Sequence, residues 1–400
     1  MKLSPQSGPP GLAEVVGFDR FGCRAISYQA FGGWGLGSFV FTGLPTTSGQ
    51  LAVHPTWLGR VIDSFGRPLD GRGALASGEE YLPIYREPPS ATSRATLGER
   101  IDLGVVALNL FTTCRHGQRL GVFAGSGVGK STLVSMLANN AEFDVTIVAL
   151  IGERGKEVRD FIESKLTQVS LEKTIIVVAT SDSSPSIKTS ATLSAVTISE
   201  YFRDRGSKVL LILDSITRYC NSLREIALSV GEAPVSRGYP ISVFSNLSKL
   251  LERVGPGVGS CSDTGYITGI FTVLVDGDDF NEPVSDTIRG LLDGHIILDR
   301  KIAERGRYPA IDIVRSLSRS VTGCNSASED SLTRKARQFV ALHEEMYELI
   351  KLGVYRPGTD ALVDRVIQVA PKIEQMLTQG EKSNTNIVEH FKQLRSIIEE

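Results

Sequence analysis

The feature that most restricts the fold is a glycine-rich octet, Ala124-Gly-Ser-Gly-Val-Gly-Lys-Ser131, set between the apolar run LGVF and the stretch STLVSMLANN. Strand, glycine loop and helix in that order are the context in which a phosphate-binding loop works. Glycines let consecutive backbone N–H groups turn toward one point, and the following helix presents its positive end. Lys130 then supplies a point charge for the β and γ phosphates, and the Ser131 hydroxyl is placed to hold Mg²⁺. Gly125, Ser126, Gly127, Val128 and Gly129 form the cradle, and Thr132 follows on the helix. The octet opens on Ala124 where the strict pattern has Gly.

The surrounding sequence fits an α/β protein. Apolar runs at 120–124, 145–151, 175–179, 209–213 and 270–275 alternate with amphipathic stretches of helix length. Continuous apolar runs are the pattern of strands buried on both faces, and their alternation with helices implies βαβ units and a mostly parallel sheet. Ahead of them, residues 11–90 hold short β segments (AEVVGF, CRAISY, GSFVFTGL and GRVIDSFGRPLD) between glycine-rich turns. These predict a small barrel or sandwich, incomplete because it begins abruptly at a strand after a Pro/Gly tail. YREPPSATSRATL at 85–97 is expected to be a linker. From Ser331 onward, Lys/Glu-rich segments with helical periodicity predict a helical domain. At 400 residues two or three domains are expected, with divisions at 1–90, 91–325 and 326–400.

Composition removes several function classes. With 41% hydrophobic and 22% charged residues the chain is neither disordered nor fibrous. Its 43 Lys plus Arg are balanced by 45 Asp plus Glu, which argues against a nucleic-acid partner. No apolar run approaches the ~20 residues that span a bilayer. MKLSPQSGPP lacks the apolar segment of a signal peptide. Five Cys show no CxxC pairing and no metal-ligand spacing with the five His, as expected of reduced thiols in a cytoplasmic protein.

Hydrolysis of a bound nucleotide needs a carboxylate for the metal, a group that orients water, and positive charge on the transition state. Asp214 ends the apolar run VLLIL and suits the metal side; the bland alternative is an Asp in a strand-end turn. Glu153 follows the run VTIVAL, in Ile151-Gly-Glu-Arg-Gly, and suits water activation; the bland alternative is a solvated Glu at a helix entry. In open α/β sheets ligands sit beyond the carboxyl ends of the strands, which puts both acids on the rim that carries the loop. Arg154, Arg218 and Arg319 are candidates for the positive charge, and spacing does not choose among them.

Taken together, GERGKEVRDFI, LLILDSITRY, GEAPVSRGYP, TGIFTVLVDGDDFNEPVSD, IRGLLDGHIILDRKIAERGRYPAIDIVRSLSR and GRVIDSFGRPLDG resemble the ATPase of flagellar and virulence type III protein export. The resemblance runs from about Ala13 to the C-terminus, and that family is related to the catalytic subunit of rotary ATP synthases. It implies a RecA-like core, hydrolysis of ATP with Mg²⁺, and a homo-hexameric ring. Carried onto this chain, Lys130 and Ser131 serve phosphate and metal, Asp214 is the metal-side acid and Glu153 the catalytic glutamate. Arg154 matches an arginine near the phosphates, and Arg319 one inserted into the neighbouring subunit's site. Tyr308 matches an aromatic packed near the adenine, with core packing as its ordinary alternative. The loop at 231–240 falls where the family lines its central channel. The family's N-terminal barrel is usually longer, so this chain is expected to start part-way through it.

The implied partners are chaperone–cargo complexes, a negative regulator, stalk proteins and the export gate. The implied location is the cytoplasm, peripheral to the inner-membrane export apparatus. The competing functions are a virulence-system ATPase, a rotary synthase subunit, a ring helicase of transcription termination, and a nucleotide-binding ring subunit without hydrolysis. Glu153 speaks against the last, because a subunit that does not hydrolyse can dispense with that carboxylate.

Overall fold

The apolar runs become the interior of one large sheet. The computed structural model describes residues 2–4, 11–28, 39–41, 49–140, 142–259, 264–275, 277, 279–280, 282–320, 323–381 and 386–399. At the N-terminus β1 (Lys2–Ser4), β2 (Gly11–Asp19), β3 (Gly22–Ser27) and β4 (Phe39–Phe41) form a four-stranded sheet in the order β3-β2-β1-β4. Its pairings are antiparallel, and β1 draws the expected tail into the sheet by pairing with both β2 and β4. Two short strands, β5 (Gln50–Leu51) and β7 (Leu82–Pro83), pair antiparallel, and between them in sequence lies β6 (Val61–Ile62).

β6 departs from the reading of GRVIDSFGRPLD as barrel. Val61 and Ile62 pair in parallel with the edge strand of the large sheet. The turn after them is fixed by Asp70, which takes two bonds from the Arg60 guanidinium and one from the Val61 N–H. Val61 and Ile62 are both apolar and both buried, which suits a strand covered on its two faces.

After the antiparallel pair β8 (Arg100–Ile101) and β9 (Cys114–Arg115), which flank the helix Val106–Phe111, come the strands of the core. They are β10 (Arg119–Ala124), β11 (Val145–Ile151), β12 (Thr174–Ala179), β13 (Lys208–Asp214), β14 (Tyr266–Leu274), β15 (Gly294–Leu298) and β16 (Ile311–Ser318). With β6 they make an eight-stranded sheet in the order β16-β15-β10-β14-β13-β11-β12-β6. All neighbours are parallel except β15 and β16. The RecA-like arrangement expected of the chain is thus present, with five strands where the apolar runs lie and β15 and β16 completing one edge.

Alternate residues of each strand feed two separate cores. Leu120, Val122, Val148, Leu150, Leu210 and Ile212 face the helix Lys130–Ala138 and the C-terminal helices. Phe123, Ile147, Ala149, Val209 and Leu211 face the helices Pro185–Arg203, Ile216–Ser229 and Ile241–Arg253. The C-terminal part is helical as expected: Ala327–Lys351, begun by a capping box of Ser326 and Glu329, then Ala361–Leu377 and Ile387–Glu399. Ala336, Val366, Ile373 and Leu394 close the contact among them.

The segment at 85–97 lacks regular structure, as a linker should, yet it is pinned to the core. Arg253, only 2% exposed, pairs with the equally buried Glu200 at 2.9 Å and donates to the Ile84 carbonyl at 2.7 Å. Arg86 of the segment also pairs with Glu200, at 3.3 Å, so loss of Arg253 leaves that carboxylate one partly exposed partner and costs on the order of 2 kcal/mol. Arg253→Met is therefore expected to lower unfolding free energy by about that amount, measured as the shift in a urea midpoint at constant slope.

Candidate active site

The loop is shaped by backbone that only glycine adopts without strain. β10 runs out at Ala124, and Gly127 and Gly129 take φ of +78° and +95°. Gly129 is the cap residue of the helix Lys130–Ala138 and supplies no side-chain bond, so the first N–H groups of that helix remain directed out of its end. Val128 is buried and anchors the loop, while Ser126, Gly127 and Ser131 are exposed. A Cβ placed on Gly129 would lie 3.3 Å from two carbons of the Tyr308 ring. Tyr308 thus stands against the loop, and with 42% of its surface exposed it does not belong to the core.

Three charged side chains, one from the start of the helix Lys130–Ala138 and two from the ends of β11 and β13, meet behind the loop. Lys130 Nζ donates to Glu153 Oε1 at 3.1 Å and makes a short hydrogen bond to Asp214 Oδ1. Asp214 is the last residue of β13, and its Oδ1 also accepts from the Thr272 hydroxyl on β14 at 2.7 Å. Glu153 follows β11 across the turn at Gly152, and its carbonyl accepts from the Ser181 N–H after β12. All three side chains are mostly buried. Burial works against the Lys130 charge, but Asp214 and then Glu153 more than offset it and hold the ammonium above the ordinary lysine value. For Glu153, burial dominates and raises its carboxyl above the ordinary glutamate value, against the pull of Lys130 and with a further push from Glu157.

Ser131, Glu153 and Asp214 line a common cavity of about 230 Å³, together with Leu150, Glu157 and Phe161. A hydroxyl and a carboxylate are hard oxygen donors suited to Mg²⁺. Among the described residues there is no cluster of three or more His, Cys, Asp or Glu able to hold a metal unaided.

The arginines separate. Arg154 is largely exposed and pairs with Glu157 at 3.9 Å. Arg218 packs its methylenes over Gly152, behind Glu153. Arg319 is exposed at the far end of the sheet, where its N–H bonds the Asp293 carbonyl and Asp293 in turn pairs with Arg119 at the start of β10. The six residues of β10 lie between it and this chain's own loop, roughly 20 Å of strand. The loop at 231–240 joins the helices Ile216–Ser229 and Ile241–Arg253, away from the cavity, with Arg237 paired to Asp279. Sequence reasoning missed Thr272 and Glu157. A threonine inside the run GIFTVLV was the available signal for Thr272, whereas Glu157 has the sequence surroundings of any glutamate on a helix surface.

A glycine loop, a buried lysine and two strand-end acids on one rim define a nucleotide-binding α/β protein, and the comparisons with known proteins agree. Residues 104–318 match the ATP synthase alpha/beta family, nucleotide-binding domain, and residues 326–396 match the T3SS EscN ATPase C-terminal domain. The chain belongs to the flagellar and type III secretion branch of that ATPase family. It is 46% identical over 394 residues to the flagellum-specific ATP synthase of Caulobacter vibrioides, covering 98% of this chain and 88% of that one. The structure of the assembled ATPase EscN from the enteropathogenic E. coli type III secretion system is similar with a TM-score of 0.92 and 36% identity, covering 99% of this chain and 94% of that one. EscN in complex with its central stalk EscO is similar with a TM-score of 0.89, again at 36% identity and with the same coverage.

Lys130 is the shared counter-ion of two acids, and its removal should tell. Lys130→Ala removes the cation that pulls the buried Glu153 carboxyl down, which raises that carboxyl further. The protonated form then carries the stability, and that stability is lost as pH rises. The deficit against wild type is expected to be about 3 kcal/mol at pH 8 and clearly smaller at pH 5, read from urea unfolding at the two pH values.

Proposed function

We propose that this chain is the ATP-hydrolysing motor of the flagellar type III protein export apparatus. The observation that carries the reading is the meeting of Lys130, Glu153 and Asp214 beside the glycine loop. Main-chain N–H groups at 125–132 and the Lys130 ammonium grip the triphosphate. Ser131 and Asp214 would hold Mg²⁺, which would supply charge neutralisation on the transferred phosphate. ATP binding requires Lys130 to turn from the two acids toward phosphate, which frees Glu153 to polarise the attacking water. The products are ADP and phosphate. Tyr308 offers its exposed ring to the base, and Arg154 swings to the phosphates from its present exposed position.

Arg319 acts in trans. Its place at the opposite end of β10 keeps it from its own chain's site, and its exposure lets it reach a neighbour in a ring. A homo-hexamer, a central stalk, chaperone–cargo complexes, a negative regulator and an export gate are the partners this reading assigns, with no nucleic acid. The flagellar choice rests on the flagellum-specific relative that aligns over 98% of the chain. No helix among the described residues is long and apolar enough to cross a membrane, which suits a motor that works at the cytoplasmic side of the inner membrane. The functional units proceed from the N-terminal sheet through the ATPase core to the helical end, as divided near residues 90 and 325.

Two measurements test the chemistry. Glu153→Gln should bind MgATP but release phosphate at least ~100-fold more slowly. Because the Glu153 carboxyl is raised, the acidic limb of the wild-type rate profile should lie above the ordinary glutamate value; near-normal turnover of the variant would remove Glu153 from the mechanism. Arg319→Ala protomers mixed with Lys130→Ala protomers should regain activity that neither has alone. In such rings a Lys130→Ala subunit lends its intact Arg319 to a neighbour with an intact loop. Mixed rings verified by mass and still inactive would count against action in trans.

A further inference from the structure

Among the buried polar side chains that the proposed chemistry leaves unused, Gln379 stands out by what it joins. It follows the helix Ala361–Leu377 and is 8% exposed. Its N–H donates to the Tyr308 carbonyl at 2.8 Å. Its side-chain oxygen accepts from the Val106 N–H at 3.0 Å, and its side-chain amide donates to the Gly104 carbonyl at 2.7 Å. Val106 opens the helix Val106–Phe111, whose cap residue Val105 has no side-chain acceptor to offer. Gln379 therefore does the work of a helix cap from 273 residues away in sequence. Two residues on, Glu381 accepts from the Thr132 hydroxyl at 3.2 Å and pairs with Lys165 at 2.7 Å. One short segment of the C-terminal part is thus tied both to the start of the core and to both flanks of the phosphate loop.

We propose that Gln379 is a positioning residue for nucleotide binding: through its bond to the Tyr308 backbone, anchored by its side chain on Gly104 and Val106, it sets the distance between the Tyr308 ring and Gly129. The physical argument is one of leverage. The Tyr308 ring is exposed and borders the space a side chain at Gly129 would fill, so a small drift of its backbone changes the width of the slot beside Gly129. A backbone bond alone would let the segment slide. The two side-chain bonds of Gln379, to a donor and an acceptor on one turn of chain, remove that freedom. The triphosphate end of the ligand is held by other groups, Lys130 and the loop amides, and does not depend on this anchor. Gln379 thus tunes the contribution of the base while leaving phosphate binding and bond cleavage alone. This inference rests on the proposed reading that Tyr308 faces the base.

The full-length chain is assayed with ATP as substrate and inorganic tripolyphosphate as a competitive inhibitor that lacks base and sugar. Gln379→Leu should raise the KM for ATP about tenfold, the cost of roughly one buried hydrogen bond, with kcat and the tripolyphosphate inhibition constant within about twofold of wild type. Gln379→Glu keeps the acceptor for the Val106 N–H and loses the donor to Gly104, so its KM should fall between the two. An unchanged KM, or equal weakening of ATP and tripolyphosphate, would overturn the proposal, since a merely structural residue moves both ligands together. If Gln379→Leu does not fold, the same comparison made on Gln379→Glu decides. Tyr308→Ala separates the layers. If it leaves the KM for ATP unchanged, the base-facing reading and this inference both fall; if it raises the KM while Gln379→Leu does not, only the inference does.

Discussion

Lys130 held between Glu153 and Asp214 is the interaction on which the rest of the site depends. The lysine comes from the helix after β10, the glutamate from the turn after β11 and the aspartate from the end of β13. The parallel strands β10, β14, β13 and β11 lie side by side in the sheet, and that order delivers all three groups to one rim. One cation bonds to both acids in a space that excludes most water, which offsets part of the cost of burying them together. On the proposed reading a triphosphate offers the lysine more negative charge than the carboxylates do, and its departure leaves both acids available to metal and water.

The sheet supports this by separating two tasks. Its strands are apolar on both faces and feed two cores, so their ends are held rigidly in register, as in the pairing of Leu150 with Asp214. Polar chemistry is confined to the residues just beyond those ends, where glycine at 127, 129 and 152 lets the backbone turn sharply. The helical C-terminal part then reaches the same rim from the side. Gln379 and Glu381 bond to the residues that flank the loop, so motion of those helices and occupancy of the pocket act on a shared set of contacts.

Much of this was legible in the residue pattern. The octet at 124–131, the strand-end acids Glu153 and Asp214 and the five apolar runs all lie where local sequence placed them, because glycine content and hydrophobic period are local properties. Other features were not. β6 was grouped with the N-terminal strands, since nothing in Val61 and Ile62 says which sheet they join. The choice among Arg154, Arg218 and Arg319 stayed open because charge at the end of a flexible side chain carries no address. In the structure Arg154 points to solvent, Arg218 packs on Gly152, and Arg319 lies at the opposite end of the sheet. Gln379 was invisible for the same reason: it matters through partners distant in the chain, whereas Thr272 was marked only by being a threonine within an apolar run.

The sequence by itself determined the class of fold, the phosphate loop and the family, because these rest on short-range patterns of glycine, apolar period and ordered motifs that survive without coordinates. Only the tertiary structure decided which charges share the pocket, which arginine is barred from its own site, and how the C-terminal helices are tied to the loop. The physical reason is that strand order and long-range hydrogen bonds set those distances, and neither is encoded in the spacing of residues along the chain.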